Sequence, residues 1–95
     1  MNTKEKTEAI ADFIRRNPDE KDNIGYPLVW IPDGKMKSLT DEKYGKCDML
    51  CVYAIDEKNI FCCMMSVDDE GNDDIPFMCD PTDEYIDLLY DLFCK

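Results

Sequence analysis

Two apolar runs near the middle of the chain, Cys47 to Ile55 and Asn59 to Val67, constrain the fold more than any other feature. In an extended chain successive side chains point to opposite faces. On the first run Met49, Cys51, Tyr53 and Ile55 share one face, and Leu50, Val52 and Ala54 share the other. On the second, Ile60, Cys62 and Met64 oppose Phe61, Cys63, Met65 and Val67. All four faces are apolar, so both sides of these strands must be covered, which places them in the interior of a sheet. The short Asp56-Glu57-Lys58 link makes an antiparallel hairpin their natural pairing.

The flanking segments supply the covering layer. From Thr3 to Arg16 the apolar residues fall at Ala9, Ile10, Phe13 and Ile14, one narrow helical stripe. Asn17 and Pro18 end it, asparagine as a left-handed cap and proline as a stop. Asp19 to Asn23 reads as a polar connector. Ile24 to Ile31 reads as a strand, with Pro27 placing it at an edge or starting it only after the proline. Pro32-Asp33-Gly34-Lys35 carries a tight-turn signal, with a return strand expected over Lys35 to Leu39 and a turn or short helical turn over Thr40 to Lys46. After the central hairpin come a charged loop, Asp68 to Asp74, and a short strand at Ile75 to Cys79. The chain closes with a helix for which Asp80 serves as N-cap, Pro81 as first residue, and Tyr85, Leu88, Leu89 and Leu92 as the apolar face. The expected fold is α+β: one domain over 1–95, an antiparallel sheet of four to five strands with an N-terminal and a C-terminal helix. If both helices lie on one face, the other needs a partner or a second copy of the chain.

Several classes of function are excluded at this level. No apolar run approaches the roughly 20 residues that span a bilayer, so no membrane role is expected. Met1 to Lys6 is followed by no long apolar stretch and no small-residue cleavage site, which points to the cytoplasm. There Cys47, Cys51, Cys62, Cys63, Cys79 and Cys94 read as small buried hydrophobes rather than a disulfide framework. Without histidine or a C-x2-C pair no zinc site is expected, and no other metal or cofactor is called for. The absence of histidine also removes the usual proton shuttle, and no phosphate-cradling glycine loop is present, so the chain is not expected to be an enzyme. Trp30, near Tyr26 and Pro32, reads as core ahead of an exposed recognition patch.

The charge is unevenly placed. Up to Val67 there are 12 acidic and 10 basic residues; from Asp68 onward there are 10 acidic residues, and Lys95 is the one base. Asp83, Asp87 and Asp91 recur every four residues and so form a ridge along the last helix, one charge per ~6 Å of axis. Like charges at that spacing cost roughly 0.2 to 0.5 kcal/mol per pair, with no lysine expected nearby to offset them. Such a surface repels a phosphate backbone, so direct nucleic-acid binding is not expected. It attracts a basic protein. Duplex DNA carries one charge per ~1.7 Å, so a ridge that imitated it would need Glu84 and the loop residues Asp68, Asp69, Glu70, Asp73 and Asp74 as well. The loop offers oxygens for calcium, but an EF-hand register fails: with Gly71 at the invariant glycine, Phe77 falls where the bidentate glutamate belongs.

The expected function is therefore a small acidic protein-binding module. Its most specific form is a stoichiometric inhibitor that mimics nucleic-acid charge to block a nucleic-acid-binding protein, in the manner of anti-restriction or anti-CRISPR proteins. The alternative is a structural or assembly subunit that homodimerises through its sheet, its charge serving solubility only.

Overall fold

A computed structural model describes residues 1–32, 35, 49–56, 59–65 and 77–95. The elements in order are α1 (Thr3–Arg16), β1 (Glu20–Lys21), β2 (Pro27–Trp30), β3 (Met49–Ala54), β4 (Ile60–Met65), β5 (Phe77–Cys79) and α2 (Asp83–Phe93). The five strands form one antiparallel meander in chain order. The α+β expectation holds: two terminal helices and a five-stranded antiparallel sheet. The expected elements at 36–46, Cys47 and the Asp68 to Asp74 loop lie outside the described residues.

The central hairpin pairs as its pattern dictates, from Met49 opposite Met65 to Ala54 opposite Ile60. Ile10, Ala11 and Ile14 of α1 and Tyr85, Ile86 and Leu89 of α2 meet Val29, Leu50, Val52, Ala54, Ile60 and Cys62 in one core. Both helices therefore cover the same face of the sheet. They also touch each other, the Phe13 and Phe93 rings stacking with centroids 5.3 Å apart. On the other face Leu28, Cys51 and Cys63 are buried, with Trp30 and Tyr53 packed against them. Trp30 is half-buried there, its indole N–H donating to Glu20 Oε1 at 2.9 Å, so it is neither full core nor free surface.

Four local expectations need correcting. The segment Asp19 to Asn23 is not a plain connector: Glu20 and Lys21 form the edge strand, opposite Leu28 and Pro27. Asp22 builds the turn between them, Oδ1 accepting from the backbone N–H of Ile24, Gly25 and Tyr26 at 2.9, 2.8 and 2.9 Å. Gly25 takes φ 106°, which a side chain would resist. The strand accordingly starts at Pro27, its first residue, where a missing N–H does least harm. Ile24 is left exposed in the turn.

The second correction follows from the first. With β1 on one side and β3 on the other, β2 is an interior strand rather than an edge strand. Lys35 N–H donates to the Pro32 carbonyl at 3.1 Å. Third, Asn17 closes α1 at φ −134°, ψ 52°, not in the left-handed region. At the other end of α1 a capping box forms, Asn2 Oδ1 accepting from Glu5 N–H at 2.8 Å and the Glu5 carboxylate accepting from Asn2 N–H at 3.3 Å. Fourth, Thr82 rather than Asp80 caps α2, its hydroxyl accepting from Tyr85 N–H at 3.3 Å. Thr82 has the extended backbone a cap requires, so the helix begins two residues later than the Asp80-Pro81 signal suggests.

Candidate partner-binding surface

The second helix presents the acidic residues because its apolar stripe is anchored elsewhere. Tyr85, Ile86 and Leu89 are buried against α1 and the sheet. At 100° per residue, Asp83, Glu84, Asp87 and Asp91 then occupy an arc of about 100° centred on the opposite side. All four are exposed. Asp83 and Glu84 also sit in the first turn, where the helix dipole favours negative charge. Leu88 does not share the buried stripe: it is 38% exposed, between the core side and the carboxylates. The expected apolar face is thus narrower than the sequence suggests by one leucine.

The ridge is also less bare than expected. Lys6 of α1 places Nζ 2.8 Å from Asp87 Oδ1 and 5.5 Å from the centroid of the Tyr90 ring. Its pKa is raised, first by the hydrogen bond to Asp87, with a smaller lowering by burial and further raising by the charges of Asp87 and Asp91. Lys95 Nζ lies 3.4 Å from Asp91 Oδ1, four residues along the helix. The expectation that no lysine offsets the ridge therefore fails at two of its three aspartates. The i,i+4 spacing of Asp91 and Lys95 is a signal present in the sequence; the Lys6 contact spans 81 residues and could come only from the packing of α1 on α2. Asp83 and Glu84 form no ion pair among the described residues.

Beside the start of α2 the surface dips into an open cleft of about 360 Å³, with Thr3, Thr7, Asn59, Asp80, Asp83 and Ile86 among its walls. It continues the acidic surface toward the N-terminus of α1. Its described lining mixes hydroxyl, amide and carboxylate groups with the apolar Ile60, Phe61, Pro81 and Ile86. No protein-family model, curated protein or solved structure matches this chain.

Of the nine residues expected to form the partner surface, the structure places Asp83, Glu84, Asp87 and Asp91 together on one helix face. Asp68, Asp69, Glu70, Asp73 and Asp74 lie outside the described residues. Among the described residues no group of three or more cysteine or carboxylate side chains is arranged to hold a metal ion. No described helix is long and apolar enough to cross a membrane. Cys51, Cys62, Cys63 and Cys94 are free thiols. Burial is the first cause of the raised pKa of Cys62, to about 12, and of Cys51, Cys63 and Cys94. Buried, protonated thiols pack as small hydrophobes.

Proposed function

We propose that this protein is a binding module whose acidic α2 surface engages a basic protein, most specifically as a stoichiometric inhibitor that occupies the nucleic-acid site of its target by imitating phosphate charge. The observation that carries this reading is the set of four exposed carboxylates, Asp83, Glu84, Asp87 and Asp91, displayed opposite the buried stripe of α2. Leu88, exposed at the border of that face, supplies an apolar contact of the kind interfaces use as an anchor within a polar rim. The pairing of Lys6 with Asp87 does not cancel the surface. An exposed ion pair contributes little and exchanges readily for a partner's arginine or lysine. The reading rests on electrostatic attraction, which weakens as salt shortens the ~8 Å screening length of physiological buffer.

The test is capture on the immobilised protein, elution with rising salt, and competition by DNA and RNA. The reading expects a basic nucleic-acid-binding protein that leaves at moderate salt and is displaced by nucleic acid. Asp83→Asn, Asp87→Asn and Asp91→Asn combined should keep the fold, judged by circular dichroism, and lose that partner. Equal binding by the triple variant would refute the charge-mimic reading.

A second reading, homodimerisation through the sheet, has its own support. Both helices sit on one face, and Met78 on the opposite face is 46% exposed in register with Cys63. Sedimentation of wild type and Met78→Lys decides it: a wild-type dimer broken by the lysine supports assembly, and a concentration-independent monomer excludes it.

A further inference from the structure

Strand β4 carries adjacent cysteines, and their alternation sends them to opposite faces, each in register with a cysteine on a different neighbouring strand. Cys63 stands directly opposite Cys51 of β3, and Cys62 directly opposite Cys79 of β5. Directly opposed residues in an antiparallel pair have Cα atoms about 4.5 to 5.5 Å apart. That interval lies inside the roughly 4.4 to 6.8 Å over which a disulfide closes. Cys51 and Cys63 are already in contact, the Cys51 thiol donating toward the Cys63 carbonyl oxygen at 3.9 Å. Neither thiol is bridged in the structure.

We propose that Cys51 and Cys63 form a reversible cross-strand disulfide by exchange with a small oxidised disulfide of the glutathione class, Cys63 attacking and Cys51 resolving. The roles follow from position. Cys63 is 6% exposed against 1% for Cys51, on the face of the sheet away from α1 and α2, so an oxidant reaches Cys63 first.

The steps balance. Cys63 gives its proton to solvent, and its thiolate attacks one sulfur of the oxidant, forming a mixed disulfide and expelling one small thiolate. Cys51 then loses its proton to solvent, and its thiolate attacks the Cys63 sulfur, forming the bridge and expelling the second small thiolate. Two electrons pass from the protein thiols to the oxidant, which leaves as two thiols. Burial raises the pKa of both cysteines, so the exchange is slow at neutral pH and accelerates as pH rises. The bridge ties β3 to β4 at the centre of the sheet and limits the freedom of the unfolded chain between them.

The test is equilibration of the intact, fully reduced protein in buffers of graded oxidised-to-reduced glutathione ratio, followed by acid quench, alkylation and peptide mapping. The expected product joins Cys51 to Cys63, with the mass lowered by two hydrogens and the Tm raised by on the order of 10 °C. Cys51→Ser should stop at a glutathione adduct on Cys63, and Cys63→Ser should leave Cys51 reduced. Serine could disturb the sheet, so Cys51→Ala and Cys63→Ala carry the same readouts. A bridge at Cys62–Cys79 instead of Cys51–Cys63, a stable adduct on wild-type Cys63, or a Cys51–Cys63 pair still reduced at the most oxidising ratio would each overturn the proposal.

Discussion

Leu88 and Leu89 are neighbours in sequence and chemically identical, yet the structure gives them opposite fates, and truncating each to alanine tests the placement of α2. Leu89 is 1% exposed and belongs to the core shared by α1, α2 and the sheet, whereas Leu88 is 38% exposed. Removing a fully buried leucine side chain costs about 2 to 5 kcal/mol, the spread reflecting how far the surroundings collapse into the cavity. A domain of this length has about 5 to 14 kcal/mol in total, so Leu89→Ala removes a large share of it. At about 4 to 8 °C per kcal/mol for a domain of this size, the Tm should fall by roughly 10 °C or more. Leu88→Ala removes a side chain that already meets water and should cost under about 1 kcal/mol. Urea titration followed by circular dichroism measures both, with the midpoint shifting and the slope unchanged. Comparable losses for the two variants would refute the assigned orientation of α2, and with it the outward display of Asp83, Glu84, Asp87 and Asp91. Because Leu88 borders those carboxylates, Leu88→Ala should weaken partner capture while leaving the fold intact.

Other consequences can be measured independently. Asp87 raises the Lys6 pKa, so the ammonium contact stabilises the fold below the unfolded lysine pKa of 10.5 and is lost as pH rises through the higher folded value; Asp87→Asn should lower the Lys6 titration midpoint followed by NMR. Cys62 is pushed to about 12 from an ordinary 9.0, so the folded state holds its proton more tightly than the unfolded one. Stability should therefore decline as pH rises above 9 toward 12, and Cys62→Ala should flatten that decline in denaturant titrations across the window. Loss of the α2 cap in Thr82→Ala should cost about 0.5 to 2 kcal/mol by thermal melting, against a much smaller effect for Asp80→Ala. Equal effects would restore Asp80 as the cap.

The parts of the fold that strict periodicity encodes were legible in the sequence. Thr3–Arg16 is bounded as its stripe and the Asn17-Pro18 stop require, and the two central strands pair because four apolar faces allow little else. The misreadings occur where a side chain competes with a stronger generic signal. Asp80-Pro81 resembles a helix start, but Thr82 has the extended backbone and hydroxyl geometry that cap it. Asp22 looked like linker because three backbone N–H groups converging on one carboxylate oxygen leave no periodic trace. The acidic helix face was legible from the four-residue spacing of Asp83, Asp87 and Asp91. Its partial neutralisation by Lys6 was not, because it exists only once residues 81 apart are brought together by two helices on one face of a sheet. The choice of a single face was likewise beyond the pattern, since both faces of β3 and β4 are equally apolar.

The same one-sided arrangement has a kinetic consequence. Each strand of the meander pairs with its neighbour in chain order, so the sheet can zip locally with modest loop-closure cost. The Phe13–Phe93 stack is different: it joins the first helix to the last and closes a loop of nearly the whole chain. During synthesis α1 leaves the ribosome first, yet Ile10 and Ile14 share their core with Tyr85, Ile86 and Leu89. Until α2 has emerged that core has no lid, and the nascent chain carries an exposed apolar seam up to that point. The acidic helix is then the latch of the fold as well as its outer face, and a chain stalled before Asp83 is expected to be a substrate for chaperones rather than a partly active protein.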